Sequence, residues 1–148
     1  MRINQVVLDD LDQIAKMEKR TFKEDAFSKE TIKKLIEQKI FFFKLISNKS
    51  KNKIIGFIIA IKDDEERVNI VNFLIQKKYR KNGYGTFLLD KTIEKIKELK
   101  EIKRIVLNVK ITNKEAIALY KKFQFQIVQK INNYYHQKES AYLMVLRI

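Results

Sequence analysis

The chain has 148 residues, 45% of them hydrophobic, enough for one domain with a real core. It contains no Cys, which excludes a disulfide framework and a Cys-based zinc site, and it has no apolar stretch long enough for a signal peptide or a membrane span; a reducing, cytoplasmic setting is expected. The formal net charge is +14, from 32 Lys and Arg against 18 Asp and Glu, and it has two readings: a composition bias that gives a solvated basic surface, or an anionic partner such as nucleic acid, a membrane surface or a phosphorylated cofactor.

Helix signals open the chain. "LDDLDQIAKMEKRTF" reads as a helix that Asp9 or Asp10 can cap, with Leu11, Ile14 and Ala15 as its apolar stripe. "DAFSKETIKKLIEQK" reads as a second helix, capped by Ser28 and apolar at Ile32, Leu35 and Ile36. "IFFFKLI" is a strand, "SNKSKN" a polar turn, and "KIIGFIIAI" a strand apolar on both faces, hence central. The charged loop "KDDEER" leads to the strand "VNIVNFLI". A helix then runs to about Lys100, with Leu88, Leu89, Ile93, Ile96 and Leu99 turned inward. The strand "KRIVLNV" follows, and Asn113 caps the short helix "KEAIALYKKF". The strands "FQIVQKI" and "AYLMVLR" close the chain, joined by "NNYYHQKES". The order ααβββαβαββ, with no repeat or low-complexity linker, predicts a single domain over residues 1–148. Its fold class is α/β in the α+β sense, a central mixed sheet with helices on both faces.

Only three glycines occur in the chain, and two of them, Gly83 and Gly85, fall in "YRKNGYGTFLL" where a strand runs into a helix. The first amides of a helix have no backbone acceptor and the helix dipole favours negative charge there, so this junction can hold an anion. Glycine permits close approach of a phosphate, and Arg80 and Lys81 add positive charge. The stretch is neither a Walker loop nor a dinucleotide fingerprint, since the Gly-Lys-Ser/Thr ending and the third glycine are missing. A tight turn before a helix is the alternative reading.

The spacing Arg-x-x-Gly-x-Gly, as Arg80, Gly83 and Gly85, resembles the pyrophosphate loop of the GNAT superfamily of N-acetyltransferases. The resemblance covers nearly the entire chain. "RTFKEDAFSKE" looks like the substrate-side helix–loop–helix of protein N-terminal acetyltransferases, "NVKITNKEAIALYKKFQF" like their strand–helix segment, and "NNYY" with "AYLMVL" like their closing hairpin. The match is closest to the N-terminal α-amino acetyltransferases of the ribosomal-protein-alanine type. It implies the acyl-CoA N-acyltransferase fold and direct transfer of acetyl from acetyl-CoA, leaving CoA, to the α-amine of a protein or peptide in a ternary complex. It also implies association with a ribosome or an auxiliary subunit, and no metal, membrane or dedicated nucleic-acid partner. Two alternatives stay open: an acetyltransferase for a small amine or a lysine, and a CoA-binding regulatory subunit with weak catalysis.

Carried over by resemblance, the cofactor set comprises Arg80, Lys81, Asn82, Gly83, Tyr84, Gly85 and Thr86 around the pyrophosphate, the free backbone groups of Leu74 and Ile75 along the pantetheine arm, Asn113 and Tyr120. Tyr120 is implied as the acid that protonates the departing thiolate, with a core aromatic as its alternative; a plain N-cap is the alternative for Asn113. Phe22, Phe27, Tyr134, Tyr135 and Tyr142 are implied as walls of the acceptor channel. Tyr134 and Tyr135, consecutive in a polar hairpin, are expected to point opposite ways. The pattern breaks at the general base. Relatives carry Glu or His where this chain has Asn108, and some carry Tyr where it has Asn69, and neither amide can take a proton. Asn108 is therefore read as orienting a water, with Glu24, Asp25, Glu139 and His136 as other candidates. Lys78 stands where Pro is common, and Gln124 where Gly is common.

Overall fold

The structure, a computed structural model, describes residues 1–38 and 40–148, with side chains at all of these except 50–52 and 137. Lys39, the last residue of the stretch read as the second helix, lies outside the described residues. The elements are β1 (Arg2–Gln5), α1 (Leu11–Phe22), α2 (Lys29–Glu37), β2 (Phe41–Ser47), β3 (Ser50–Asp64), β4 (Arg67–Ile75), α3 (Tyr84–Lys97), β5 (Arg104–Lys110), α4 (Lys114–Lys122), β6 (Gln126–Ile131) and β7 (Ala141–Arg147). The seven strands form one mixed sheet in the order β1-β2-β3-β4-β5-β7-β6, with β4 and β5 parallel. This is the expected class, with one correction. A strand, β1, precedes the first helix, and only Ile3 in it is even half-buried, so no apolar alternation marks it; backbone pairing to β2 makes it a strand. No helix among the described residues is long and apolar enough to cross a membrane.

The chain divides into two compact units, Met1–Ala60 with Asn72–Ile93 and Ile61–Val71 with Glu94–Ile148. In the first, α1 buries Ile14, Met17 and, unexpectedly, Glu18. Asp10 accepts from the Val7 amide at 2.9 Å and from Lys44 Nζ on β2 at 2.7 Å, which fixes the start of α1 to the sheet. Ser28 caps α2 as expected, its Oγ accepting from the Thr31 amide at 3.1 Å. Phe42, Leu45, Phe57, Ile58 and Ile59 of β2 and β3 are core residues at 0% exposure.

Gly56 decides how β3 meets β4. A Cβ there would lie 2.4 Å from the Leu74 carbonyl oxygen and 2.6 Å from a methyl of Ile75. Only a residue without a side chain allows that approach. Just beyond, the Gln76 amide donates to the Ile55 carbonyl at 2.9 Å, and Gln76 Nε2 donates to the Ile54 carbonyl at 2.6 Å.

In the second unit, β5 pairs with β7 from Arg104↔Arg147 to Lys110↔Ala141. The parallel β4–β5 register runs from Arg67↔Arg104 to Ile70↔Leu107, and the carbonyl of Glu66 closes that end by accepting from the amides of Lys103 (2.7 Å) and Arg104 (3.2 Å). Asn113 caps α4, its Oδ1 accepting from the Ala116 amide at 3.2 Å. After α4 the chain reverses at Gln124, φ +75°, a left-handed angle that favours glycine. β6 is the edge strand; its register against β7 slips between Ile127 and Gln129, and Ile127 and Val128 are exposed.

Gly56→Ala is expected to cost about 1–3 kcal/mol, since the intruding methyl meets backbone that cannot step aside. Thermal unfolding should show it as a fall of several degrees in Tm, and an unchanged Tm would mean that β4 can shift freely.

Candidate active site

The glycine loop belongs to the first unit. From the end of β4 a short 3-10 turn, Lys77–Tyr79, leads through Arg80, Lys81, Asn82 and Gly83 into α3. Asn82 Nδ2 donates to the carbonyls of Tyr79 (3.1 Å) and Arg80 (3.0 Å), which folds the loop on itself. Lys81 and Gly83 both have left-handed backbone angles, φ +64° and +79°. A Cβ at Gly83 would meet nothing within 4 Å, so glycine is needed there for its angle, not for room. The loop is therefore open, exposed at Arg80 to Gly83, and followed by the uncommitted first amides of α3. Those are features a phosphate-bearing ligand fits. Arg80 is partly committed: its Nε donates to the Ile75 carbonyl at 2.9 Å, so one backbone group expected to be free already has a partner. Lys78, at the position of the common Pro, lies 5.2 Å from the ring centroid of Tyr79. Leu74 is buried and Ile75 half-buried.

The same unit holds an ionisable group that sequence reading missed. Glu18 of α1 is 1% exposed. Its Oε2 accepts from the Phe27 amide at 2.8 Å, and its Oε1 accepts from Asn72 Nδ2 of β4. Burial, against the opposing pull of these two donors, raises its pKa from 4.5 to about 7. The bonds span nine and 54 residues. Phe22 and Phe27 are half-buried on either side of the Lys23–Asp25 turn. Glu24 is exposed on that turn and Asp25 half-buried.

In the second unit, the structure brings four of the predicted residues together. Asn108 Nδ2 of β5 donates to the Tyr134 hydroxyl at 3.1 Å, while its Oδ1 is buried with no hydrogen-bond partner among the described residues. The Tyr134 and Tyr135 rings meet edge to face at 4.8 Å and 81°. They do not point opposite ways, because residues 134 and 135 lie in a turn and not in a strand, where alternation would hold. Lys110 Nζ sits 5.3 Å from the Tyr135 ring centroid and 3.7 Å from Glu139. Tyr120 of α4 is 6% exposed, packed 5.7 Å from the Phe125 ring. Burial pushes its phenol far above the ordinary range, and Tyr135 adds to the effect. Asn69 is engaged elsewhere: its Nδ2 donates to Asp63, which also accepts from Arg67. Tyr142 is half-buried on β7, paired with Val109 and Lys130. Asn113 spends its Oδ1 on the cap.

The sequence profile described as the acetyltransferase (GNAT) family matches residues 8–125. The chain belongs to that family. An N-alpha-acetyltransferase of Saccharolobus solfataricus is 31% identical over 93% of this chain and 87% of its own length. Among solved structures, Ard1 from Thermoplasma volcanium superposes with a TM-score of 0.88 at 24% identity, covering 99% of this chain and 97% of that one. NAA60 from Arabidopsis thaliana, in complex with a bisubstrate analogue, gives 0.89 at 20% identity over 99% and 97% of the two chains. The same plant protein in complex with acetyl-CoA gives 0.86 at 19% identity, covering 99% of each chain. The chain is thus an acetyl-CoA-dependent N-acetyltransferase with the GNAT fold.

Of what the sequence missed, Gly56 carried a signal, as the one glycine inside an otherwise unbroken apolar strand. Glu18 and Asn72 carried none, since each is an ordinary polar residue until the fold joins them. The raised pKa of Glu18 has a definite sign. Between about pH 4.5 and 7 the folded GNAT domain keeps a proton that the unfolded chain has released, so Glu18 makes stability fall as pH rises through this window. Denaturant unfolding of wild type and Glu18→Gln from about pH 5 to 8 checks it: wild-type stability relative to the variant should decline across the range. A pH-independent difference would show that Glu18 is ionised throughout.

Proposed function

We propose that this enzyme acetylates the N-terminal α-amine of a protein or peptide by direct attack on acetyl-CoA in a ternary complex. The observation that carries the reading is Asn108. A buried oxygen without a partner costs about 1–3 kcal/mol, and an N–H of the acceptor would satisfy it. The name of the relative from Saccharolobus solfataricus supports the same acceptor class.

In this reading acetyl-CoA supplies an activated acetyl group as a thioester. The amides of residues 80 to 85, with Lys81 and Thr86, would hold the pyrophosphate, and the β4 backbone at Leu74 and Ile75 would pair with the pantetheine arm; Asn113 is a further candidate for cofactor contact. By resemblance, Phe22, Phe27, Tyr134, Tyr135 and Tyr142 are the candidate acceptor-binding residues. Asn108 Oδ1 accepts an N–H of the incoming amine, and the Tyr134 hydroxyl, held by Asn108 Nδ2, orients a water that takes the amine's proton to solvent. As the C–N bond forms and the C–S bond breaks, Tyr120 gives its proton to the leaving sulfur and recovers one from solvent. A phenol is protonated at neutral pH, so Tyr120 holds its proton when the thiolate leaves. With amides at both 69 and 108, the acceptor's own pKa sets the reactive fraction. An α-amine near 7.7–8.0 is then better placed than a lysine near 10.4, by roughly two to three units.

The test is acetyl transfer to peptides varied at their first two residues, with N-terminally blocked lysine peptides as controls. Transfer to free N-termini is expected, and transfer to the blocked peptides alone would reverse the assignment of acceptor. Tyr120→Phe should lower kcat by on the order of 10²–10⁴-fold with acetyl-CoA affinity unchanged. The kcat/KM of wild type should rise with pH toward about 8. A profile flat from about pH 6 would reveal a true base, with Glu24, Glu139 and His136 the first to replace.

A further inference from the structure

We infer that Glu18 is a positioning residue that sets acceptor specificity, by tying the backbone of Phe27 to Asn72 on β4. The inference rests on the acceptor reading above, in which Phe27 is a candidate acceptor-binding residue.

The carboxylate has no packing reason to be there. Its neighbours on the buried face of α1 are Ile14 and Met17, and a Met or Leu of similar volume would fill the same space without the cost of burying a polar group. What a carboxylate provides instead is two directional bonds. Oε2 holds the Phe27 amide at 2.8 Å and Oε1 holds Asn72 Nδ2. Above about pH 7, where Glu18 is ionised, these bonds are charge-assisted and stronger than neutral ones.

The segment that Glu18 holds is the connection between α1 and α2. Between α1 and α2 the chain turns at Lys23, with φ +51° and ψ −112°, passes through one 3-10 turn, and becomes extended at Ala26. Phe27 follows, directly before the α2 cap at Ser28. Its amide bond to Glu18 anchors the stretch to the body of the unit. Asn72, the other partner, lies two residues before Leu74 on the strand pinned by Gly56. Glu18 therefore references Phe27 to the strand that leads into the glycine loop. A shift of Phe27 by a fraction of an ångström changes how large a first side chain the acceptor can bring.

The experiment compares kcat and KM for two peptides identical except for a small (Ser) or large (Met) first residue, in wild type, Glu18→Gln and Asn72→Ala. Asn72→Ala should change the ratio of kcat/KM between the peptides by about tenfold, through the peptide KM, with acetyl-CoA affinity by calorimetry unchanged, and Glu18→Gln should change it in the same direction by less, because an inverted Asn72 amide can accept from the new amide nitrogen. The double variant Glu18→Gln, Asn72→Asp rebuilds the bridge with its charge moved, the amide nitrogen donating to residue 72 and the amide oxygen accepting from Phe27, and should recover the wild-type ratio. Equal loss of kcat on both peptides with KM unchanged, in both single variants, would mean that Glu18 only supports folding, and the inference fails. Should Glu18→Gln not fold, Asn72→Ala alone decides by the same ratio. A wild type that acetylates neither peptide overturns the acceptor reading and this inference with it; an active wild type whose ratio survives both substitutions overturns this inference alone.

Discussion

β3 and β4 approach each other at Gly56 more closely than two strands bearing side chains can. The position of the glycine loop follows from that contact. Three further bonds act within the same few residues: the Gln76 amide to Ile55, Gln76 Nε2 to Ile54, and Arg80 Nε back to Ile75. The end of β4 is thereby fixed before the chain turns into α3. Asn72, slightly earlier on the strand, passes the same reference through Glu18 to the α1–α2 connection. One close backbone contact thus orders both the glycine loop and the segment carrying Phe27.

The second unit spends its energy differently. Glu18 is buried with both oxygens occupied, whereas Asn108 has one without a partner among the described residues. A satisfied buried group rigidifies its surroundings, while an unsatisfied one is a debt that a ligand can settle. Tyr134 and Tyr135 shelter this oxygen's neighbourhood, with their rings locked edge to face and Lys110 and Glu139 paired beside them. Tyr120 adds a phenol so deeply buried that ionisation is disfavoured. Asn108 donates through one side-chain atom and can accept through the other without changing charge.

Much of this was legible in the sequence, and the parts that were share a local cause. Ser28 and Asn113 were readable as caps because a cap bonds only three residues ahead. The apolar runs gave β2, β3, β4 and β7 because burial of a sheet face is written in adjacent residues. The glycine loop was readable because a strand, a spacing and a helix occur in succession. What escaped depends on distant partners. β1 shows no alternation and exists only through its pairing with β2. β3 runs on to Asp64, into residues that read as a charged loop, because ladder bonds ignore side-chain polarity. Glu18 and Asn72 are 54 positions apart. Tyr134 and Tyr135 were misjudged by applying strand geometry to a turn.

The slip in β6 bears on how this chain behaves in a crowd of its own copies. β6 ends the sheet with exposed Ile127 and Val128, an edge to which a second molecule's strand could add itself. Because the register slips between Ile127 and Gln129, Val128 is skipped in the pairing to β7 and the strand is bent and twisted there. An incoming strand would find its row of amides and carbonyls interrupted partway along a six-residue edge, next to the repelling charge of Lys130. The irregularity blunts a sticky margin that the apolar residues alone would have left open to fibril-like stacking.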